Sequence, residues 1–164
     1  MKRVAQFEKV SNDQWCVASY HSDIVAEIDY DEIQLPIRKT AGSAGYDFLA
    51  PCDITIRGRE TVLIPTGIKC QIDEGYVLEL YPRSSLGFKY KLALCNTVGI
   101  IDSDYYNNES NEGHIMIKMT NGSEKPIHIA CGEGFAQGIF KEFFITKDDI
   151  ATSKRIGGIG STNK

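Results

Sequence analysis

Short runs rich in β-branched and aromatic residues recur along the chain, separated by glycines. They cover residues 46–50, 53–56, 61–64, 68–72, 76–81, 114–120 and 126–130. Gly45, Gly58, Gly67, Gly75, Gly87, Gly99, Gly113, Gly122 and Gly132 punctuate them. Apolar and polar positions alternate in part in Tyr76-Val77-Leu78-Glu79-Leu80 and in Ile115-Met116-Ile117-Lys118-Met119. A period of two puts successive side chains on opposite faces of a strand. Many short strands with turn signals every ~8–12 residues predict an all-β barrel or sandwich. No strand–helix–strand alternation is visible, which argues against a doubly wound α/β sheet.

The two ends break this pattern. Ser11-Asn12-Asp13-Gln14 has the spacing of a capping box ahead of Trp15, Val17 and Ala18, so a short helix is expected over residues 12–20. An acidic stretch follows, with Asp23, Glu27, Asp29, Asp31 and Glu32, and reads as a solvated face. Residues 151–164 hold Lys154, Arg155 and Lys164, no acid and three glycines. Their composition leaves two readings open: a flexible tail, or a mobile basic arm whose backbone wraps an anion.

At 164 residues the chain has the size of one ordinary domain. Eighteen Lys and Arg against 22 Asp and Glu give a net charge of −4, which argues against general attraction to nucleic acid or anionic membranes. No apolar run reaches the roughly 20 residues of a membrane helix, and no signal-peptide core follows the N-terminal cations. Cys16, Cys52, Cys70, Cys95 and Cys131 are odd in number and never paired as C-x-x-C, so reduced thiols in a cytoplasmic protein are expected.

Three stretches carry candidate chemistry. Pro82-Arg83-Ser84-Ser85-Leu86-Gly87 combines a guanidinium fork with two hydroxyls at the start of a possible helix, a set suited to phosphate oxygens or to an ordinary helix cap. In Asn96-Thr97-Val98-Gly99-Ile100-Ile101-Asp102-Ser103-Asp104-Tyr105, apolar residues lead into Asp102. A carboxylate at a strand end can orient water, and Tyr105 can floor a sugar pocket; the same residues also suit a plain hairpin loop. The third, Gly132-Glu133-Gly134-Phe135-Ala136-Gln137, puts Gln137 beside small residues.

Together with Ala44-Gly45-Tyr46-Asp47-Phe48-Leu49-Ala50 and the tail string Gly157-Gly158-Ile159-Gly160-Ser161-Thr162, these stretches resemble, in order, the five motifs of the homotrimeric dUTP pyrophosphatases, the dUTPases. The resemblance spans about residues 30–164. It implies a distorted antiparallel jelly-roll barrel over 31–150, an N-terminal extension over 1–30 without an assigned role, and a mobile arm over 151–164 closing over a neighbouring subunit's site. The implied reaction is attack of water on the α-phosphorus of dUTP, yielding dUMP and pyrophosphate. Asp102 would be the general base. Arg83, Ser84, Ser85, Gln137, Arg155, Gly160, Ser161 and Thr162 would bind phosphates, with Mg²⁺ held mainly by the substrate and no carboxylate cage in the protein. Asn96, Gly99, Ile100, Ile101 and Met116 would read uracil, Tyr105 would pack under deoxyribose, and Ile159 would cover the base.

Four positions and one insertion depart from the family pattern. Ser84-Ser85 replaces the usual Ser-Gly, Gly134 a common Arg, and Ile159 a stacking Phe. Arg155 stands one place later than the usual Arg, where Lys154 could share its role. Residues 106–113 (YNNESNEG) look like an insertion, expected to be a polar, exposed surface loop and a possible docking point for a protein partner. Two alternatives remain: a dUTPase-like regulator that binds another protein, and a dCTP deaminase of the same fold. The deaminase is disfavoured by Phe88 after Gly87 and by the lack of an acid in 114–120.

Overall fold

The computed structural model describes residues 1–24, 29–153, 155, 157 and 158. Glu27, Lys154, Ile159, Gly160, Ser161 and Thr162, all named above, lie outside the described residues.

The elements in chain order are β1 (Ala5–Lys9), α1 (Asn12–Tyr20), β2 (Tyr46–Leu49), β3 (Ile54–Ile56), β4 (Thr61–Pro65), β5 (Ile68–Ile72), β6 (Tyr76–Pro82), α2 (Ser84–Tyr90), β7 (Leu92–Leu94), β8 (Gly99–Ile101), β9 (Met116–Asn121), β10 (Ile127–Ile129) and β11 (Gly134–Glu142). Four small sheets result, ordered β1-β5, β10-β3, β2-β11-β6-β8 and β4-β9-β7. Every pairing between these strands is antiparallel. The architecture is all-β and jelly-roll-like. Among the described residues no helix is long and apolar enough to cross a membrane.

Alternation explains the core. In β9, Ile117 and Met119 are buried while Lys118 is exposed; in β5, Ile68, Cys70 and Ile72 are buried and Gln71 is exposed. Phe48, Phe135, Ile56, Ile64, Leu78, Ile115 and Ile127 join them in one hydrophobic cluster.

The predicted helix forms over Asn12–Tyr20, with the Ser11 side chain accepting from the Gln14 N–H at 3.1 Å. The first strand was not predicted, because Ala5-Gln6-Phe7-Glu8-Lys9 shows no buried stripe. It exists because the edge of β5 offers a ladder, with Ala5 opposite Ile72 and Lys9 opposite Ile68. This pairing delivers Val10 and Trp15 to the core, where both are buried.

The 106–113 segment is exposed, as expected, at Asn107, Glu109 and Ser110, but the rest of it is tied down. Asn108 and Gly113 are buried. Tyr106 donates its hydroxyl to Glu8 at 2.8 Å, Lys69 Nζ donates to Asn107 Oδ1 at 2.8 Å, and the Ser11 N–H donates to Glu112 at 2.9 Å. A polar loop of Asn and Ser satisfies itself through side-chain-to-backbone bonds, which lets it pack without apolar residues.

Candidate active site

A cavity of about 590 Å³ opens between β8 and β9. Asn96, Gly99, Ile100, Ile101, Asp102, Tyr105, Met116 and Arg155 line it, all of them residues singled out from the sequence. Leu63, Leu80, Leu94, Cys95, Ile117 and Lys118 complete the wall. Leu80, Leu94 and Ile117 are buried and Leu63 is half-buried, and no local motif signalled their place in the site.

The cavity depends on a tight connection between β7 and β8. Thr97 has φ +66°, a strained value for a β-branched residue. Its N–H donates to the Leu94 carbonyl at 3.1 Å, and the Val98 N–H donates to the Asn96 carbonyl at 2.7 Å. Gly99 then sits against Leu80, where a Cβ would come within 3.0 Å of the Leu80 Cβ. Among the described residues, strand β8 pairs only with β6 and is the edge of its sheet. An edge strand carries backbone donors and acceptors without a strand partner, available to a ligand.

Asp102 follows β8 directly. Its carbonyl accepts from the Tyr105 N–H at 3.1 Å, but its carboxylate makes no helix-cap bond. The side chain is 48% exposed, and Oδ2 accepts from Arg155 Nη2 at 2.6 Å. Arg155 Nε also donates to Asp104 Oδ1 at 2.9 Å, and the guanidinium lies 5.7 Å from the centre of the Tyr105 ring. Tyr105 is buried; that burial pushes its phenol pKa up, against smaller opposing effects of Asn111 and Arg155. Asp104 was not singled out in advance, although the Asp-Ser-Asp string held the signal.

A second cluster forms elsewhere on the same chain. Arg83, just after β6, donates from Nη1 to Asp47 Oδ2 at 2.7 Å, and Asp47 is buried. Gln137 faces Asp47 and Tyr81 across the sheet, and its Nε2 donates to the Pro82 carbonyl at 3.2 Å. Two glycines make room. A Cβ at Gly45 would stand 2.7 Å from Gln137 Oε1, and one at Gly134 would stand 2.5 Å from Arg83 Nη1. The absence of a side chain at Gly134 thus leaves space for the Arg83 guanidinium. Ser84 and Ser85 are exposed in the first turn of α2. None of Arg83, Ser84, Ser85 and Gln137 lines the cavity beside Asp102. Among the described residues, the expected site residues thus form two clusters in one chain.

The Arg83 cluster offers N–H and O–H donors, and its one carboxylate, Asp47, is already paired. Among the described residues no group of three or more His, Cys, Asp or Glu converges to hold a metal ion. Such a donor set fits phosphate oxygens, and a divalent cation fits here when the phosphates themselves carry it.

Comparison with known proteins bears on these two clusters. The dUTPase family model matches residues 31–163. The deoxyuridine 5'-triphosphate nucleotidohydrolase of Lactococcus lactis subsp. lactis is 42% identical over 142 residues, covering 85% of this chain and 95% of the relative. That of Haemophilus ducreyi is 41% identical over 141 residues, covering 81% of this chain and 89% of the relative. The crystal structure of dUTPase from Streptococcus mutans superposes with a TM-score of 0.65 at 39% identity, covering 77% of this chain and 98% of that one. The cavity beside Asp102, the Arg83–Asp47 cluster and these matches lead to one conclusion: the chain belongs to the dUTPase family.

Proposed function

We propose that this chain hydrolyses dUTP to dUMP and pyrophosphate, with Asp102 as the general base that aims water at the α-phosphorus. The observation that carries this reading is the cavity itself: an edge strand and Tyr105 form its wall, and a half-exposed carboxylate stands at its mouth. The free edge of β8 supplies backbone donors and acceptors for the uracil edge. Cytosine would present donors where uracil presents acceptors, leaving buried groups unpaired. A wall around Gly99 and Met116 would exclude thymine's methyl, a discrimination of about 1–3 kcal/mol per methyl. Tyr105 packs under deoxyribose and leaves no room for a 2′-hydroxyl.

The phosphates fall to Arg83, Ser84, Ser85 and Gln137, with Arg155 and the arm residues Ile159, Gly160, Ser161 and Thr162 closing from above. Donors aimed at phosphate oxygens strengthen as charge moves toward the leaving pyrophosphate. When bound, Mg²⁺ held by the substrate phosphates supplies further neutralisation of that charge in a protein of net charge −4. Separation of the Arg83 cluster from the Asp102 cavity supports a homotrimer in which each site is completed by neighbouring subunits. The arm over 151–164 would then close on a neighbour's site, which requires Arg155 to leave the Asp102 of its own chain where it sits here, and residues 31–150 would form the barrel that presents it.

The cellular consequence of this activity is less uracil entering DNA and a supply of dUMP for dTMP synthesis. All five cysteines are free thiols, which supports a reducing, cytoplasmic setting. Product analysis with dUTP, dCTP, dTTP and UTP in the presence of Mg²⁺ tests the reading. Release of pyrophosphate from dUTP alone is expected. Ammonia from dCTP would point to a deaminase, and an inert protein that still binds dUTP would favour the regulatory alternative.

A further inference from the structure

Among the groups beside the cavity, the Tyr105 hydroxyl is held by a chain of polar contacts that the reaction above does not use. It donates to the His114 carbonyl at 2.9 Å and accepts from Asn111 Nδ2 at 2.8 Å. The Asn111 amide cannot turn over. Its Oδ1 accepts from Asn108 Nδ2 at 2.8 Å and from the Gly113 N–H at 3.1 Å, so a flipped amide would set its NH₂ against two donors. Asn108 Nδ2 also donates to the Tyr105 carbonyl at 2.9 Å, and Asn108 Oδ1 accepts from the Asn111 N–H at 3.2 Å. The tyrosine is thereby held at its backbone and at its phenol by one pair of asparagines.

That pair stands on a rigid mount. Glu112 is tied to the start of α1 through the Ser11 N–H at 2.9 Å and through the Ser11 hydroxyl, and Tyr106 is tied to Glu8 of β1 at 2.8 Å. Asn107 and Glu112 have φ of +53° and +57°, a left-handed backbone that this packing maintains. The N-terminal strand and helix therefore brace the loop from which Asn111 reaches the cavity wall.

We propose that Asn111 is a positioning residue that fixes the depth of the Tyr105 ring, and so sets the preference for deoxyribose over ribose. The proposal rests on the dUTP reading for its substrate, but not for its geometry. A ring held at the phenol end cannot retreat to admit a 2′-hydroxyl. Freed of Asn111, the phenol keeps only its bond to the His114 carbonyl and can pivot about it, and the barrier to ribose falls.

The test compares wild type, Asn111→Ala, Tyr105→Phe and the double variant on dUTP and UTP, with melting curves for each. In Asn111→Ala the ratio of kcat/KM for dUTP over UTP is expected to fall about tenfold, the scale set by one ordinary hydrogen bond with a buried partner. Tyr105→Phe, which keeps the ring and loses both phenol contacts, should give a fall at least as large, and the double variant no more than Tyr105→Phe alone. A ratio that stays at the wild-type value, equal losses on both substrates, or additive effects overturns the proposal. A second measurement is independent of turnover: the ¹⁹F spectrum of protein labelled with 3-fluorotyrosine, in which Tyr105→Phe assigns the Tyr105 signal. That signal should shift or broaden in Asn111→Ala. If it does not move, the positioning role is wrong whatever the kinetics; if wild type leaves dUTP intact while the signal moves, the dUTP reading fails and the positioning stands.

Discussion

Arg155, at the start of the arm, donates to Asp102, at the end of β8, with Nη2 and Oδ2 2.6 Å apart. Because Asp102 is about half exposed, such a pair is worth roughly 0–1 kcal/mol, little enough for phosphate oxygens to replace the carboxylate. The contact separates two roles that one substitution would otherwise mix. In Asp102→Asn the side-chain oxygen still accepts from Arg155, so the arm contact persists while the proposed base is lost. Turnover of dUTP should fall about 10²-fold or more with nucleotide binding retained. Retained turnover would show that another group removes the proton.

Truncation after Asp149 should lower turnover about tenfold or more by removing the donors of the arm. It should leave the melting temperature nearly unchanged. Strand β11 ends at Glu142, Ile150 is exposed, and among the described residues the hydrophobic core draws none beyond β11. Paired kinetics and melting curves check both halves, and kinetics matching the full chain would deny the arm a part in closure.

Gly134→Ala places a methyl where 2.5 Å separates the new Cβ position from Arg83 Nη1 and 3.3 Å from the Asp47 carboxyl carbon. The guanidinium is the free end of a long side chain and can move aside, so stability should change little. Its bond to Asp47 should be disturbed, and KM for dUTP should rise several-fold, as expected for a lost charge-assisted contact. An unchanged KM would mean that Arg83 does not meet the substrate in the position it holds here.

His114 makes stability fall on the acid side. The ring is fully buried, and its Nε2 accepts from the Gly67 N–H at 2.8 Å. Its Nδ1 has no hydrogen-bond partner among the described residues. Burial pushes its pKa down to about 4, against a smaller upward pull from Glu112. The unfolded chain, with an ordinary histidine near 6.5, takes up the proton first, so stability declines as pH falls from about 6.5 to about 4. The full contribution is roughly 3 kcal/mol. Urea unfolding across this range should show the decline, and His114→Gln should flatten it; a parallel slope in the variant would assign the effect to the carboxylates instead.

What could be read in advance was local. Ser11 with Gln14 marks the helix because a cap is made by residues three apart, and 68–72 is a strand because its alternation is written in consecutive side chains. The same holds for the string from Asn96 to Tyr105, whose residues meet at one cavity because they are neighbours in the chain.

What depends on distant partners was not legible. β1 is a strand only because β5 presents an edge, and Asp47 joins Arg83 only because β2 and β6 both pair with β11. The 106–113 loop reads as polar and exposed, yet Asn111 becomes a half-buried anchor for Tyr105 once β1 and α1 support it. The sequence by itself determined that β2 to β6, β9 and β10 become strands and which residue types stand in each motif, since those depend on near neighbours. Tertiary structure alone decided that the motifs divide into an Asp102 cavity and a separate Arg83 cluster, because strand pairing, not chain order, sets which side chains share a face.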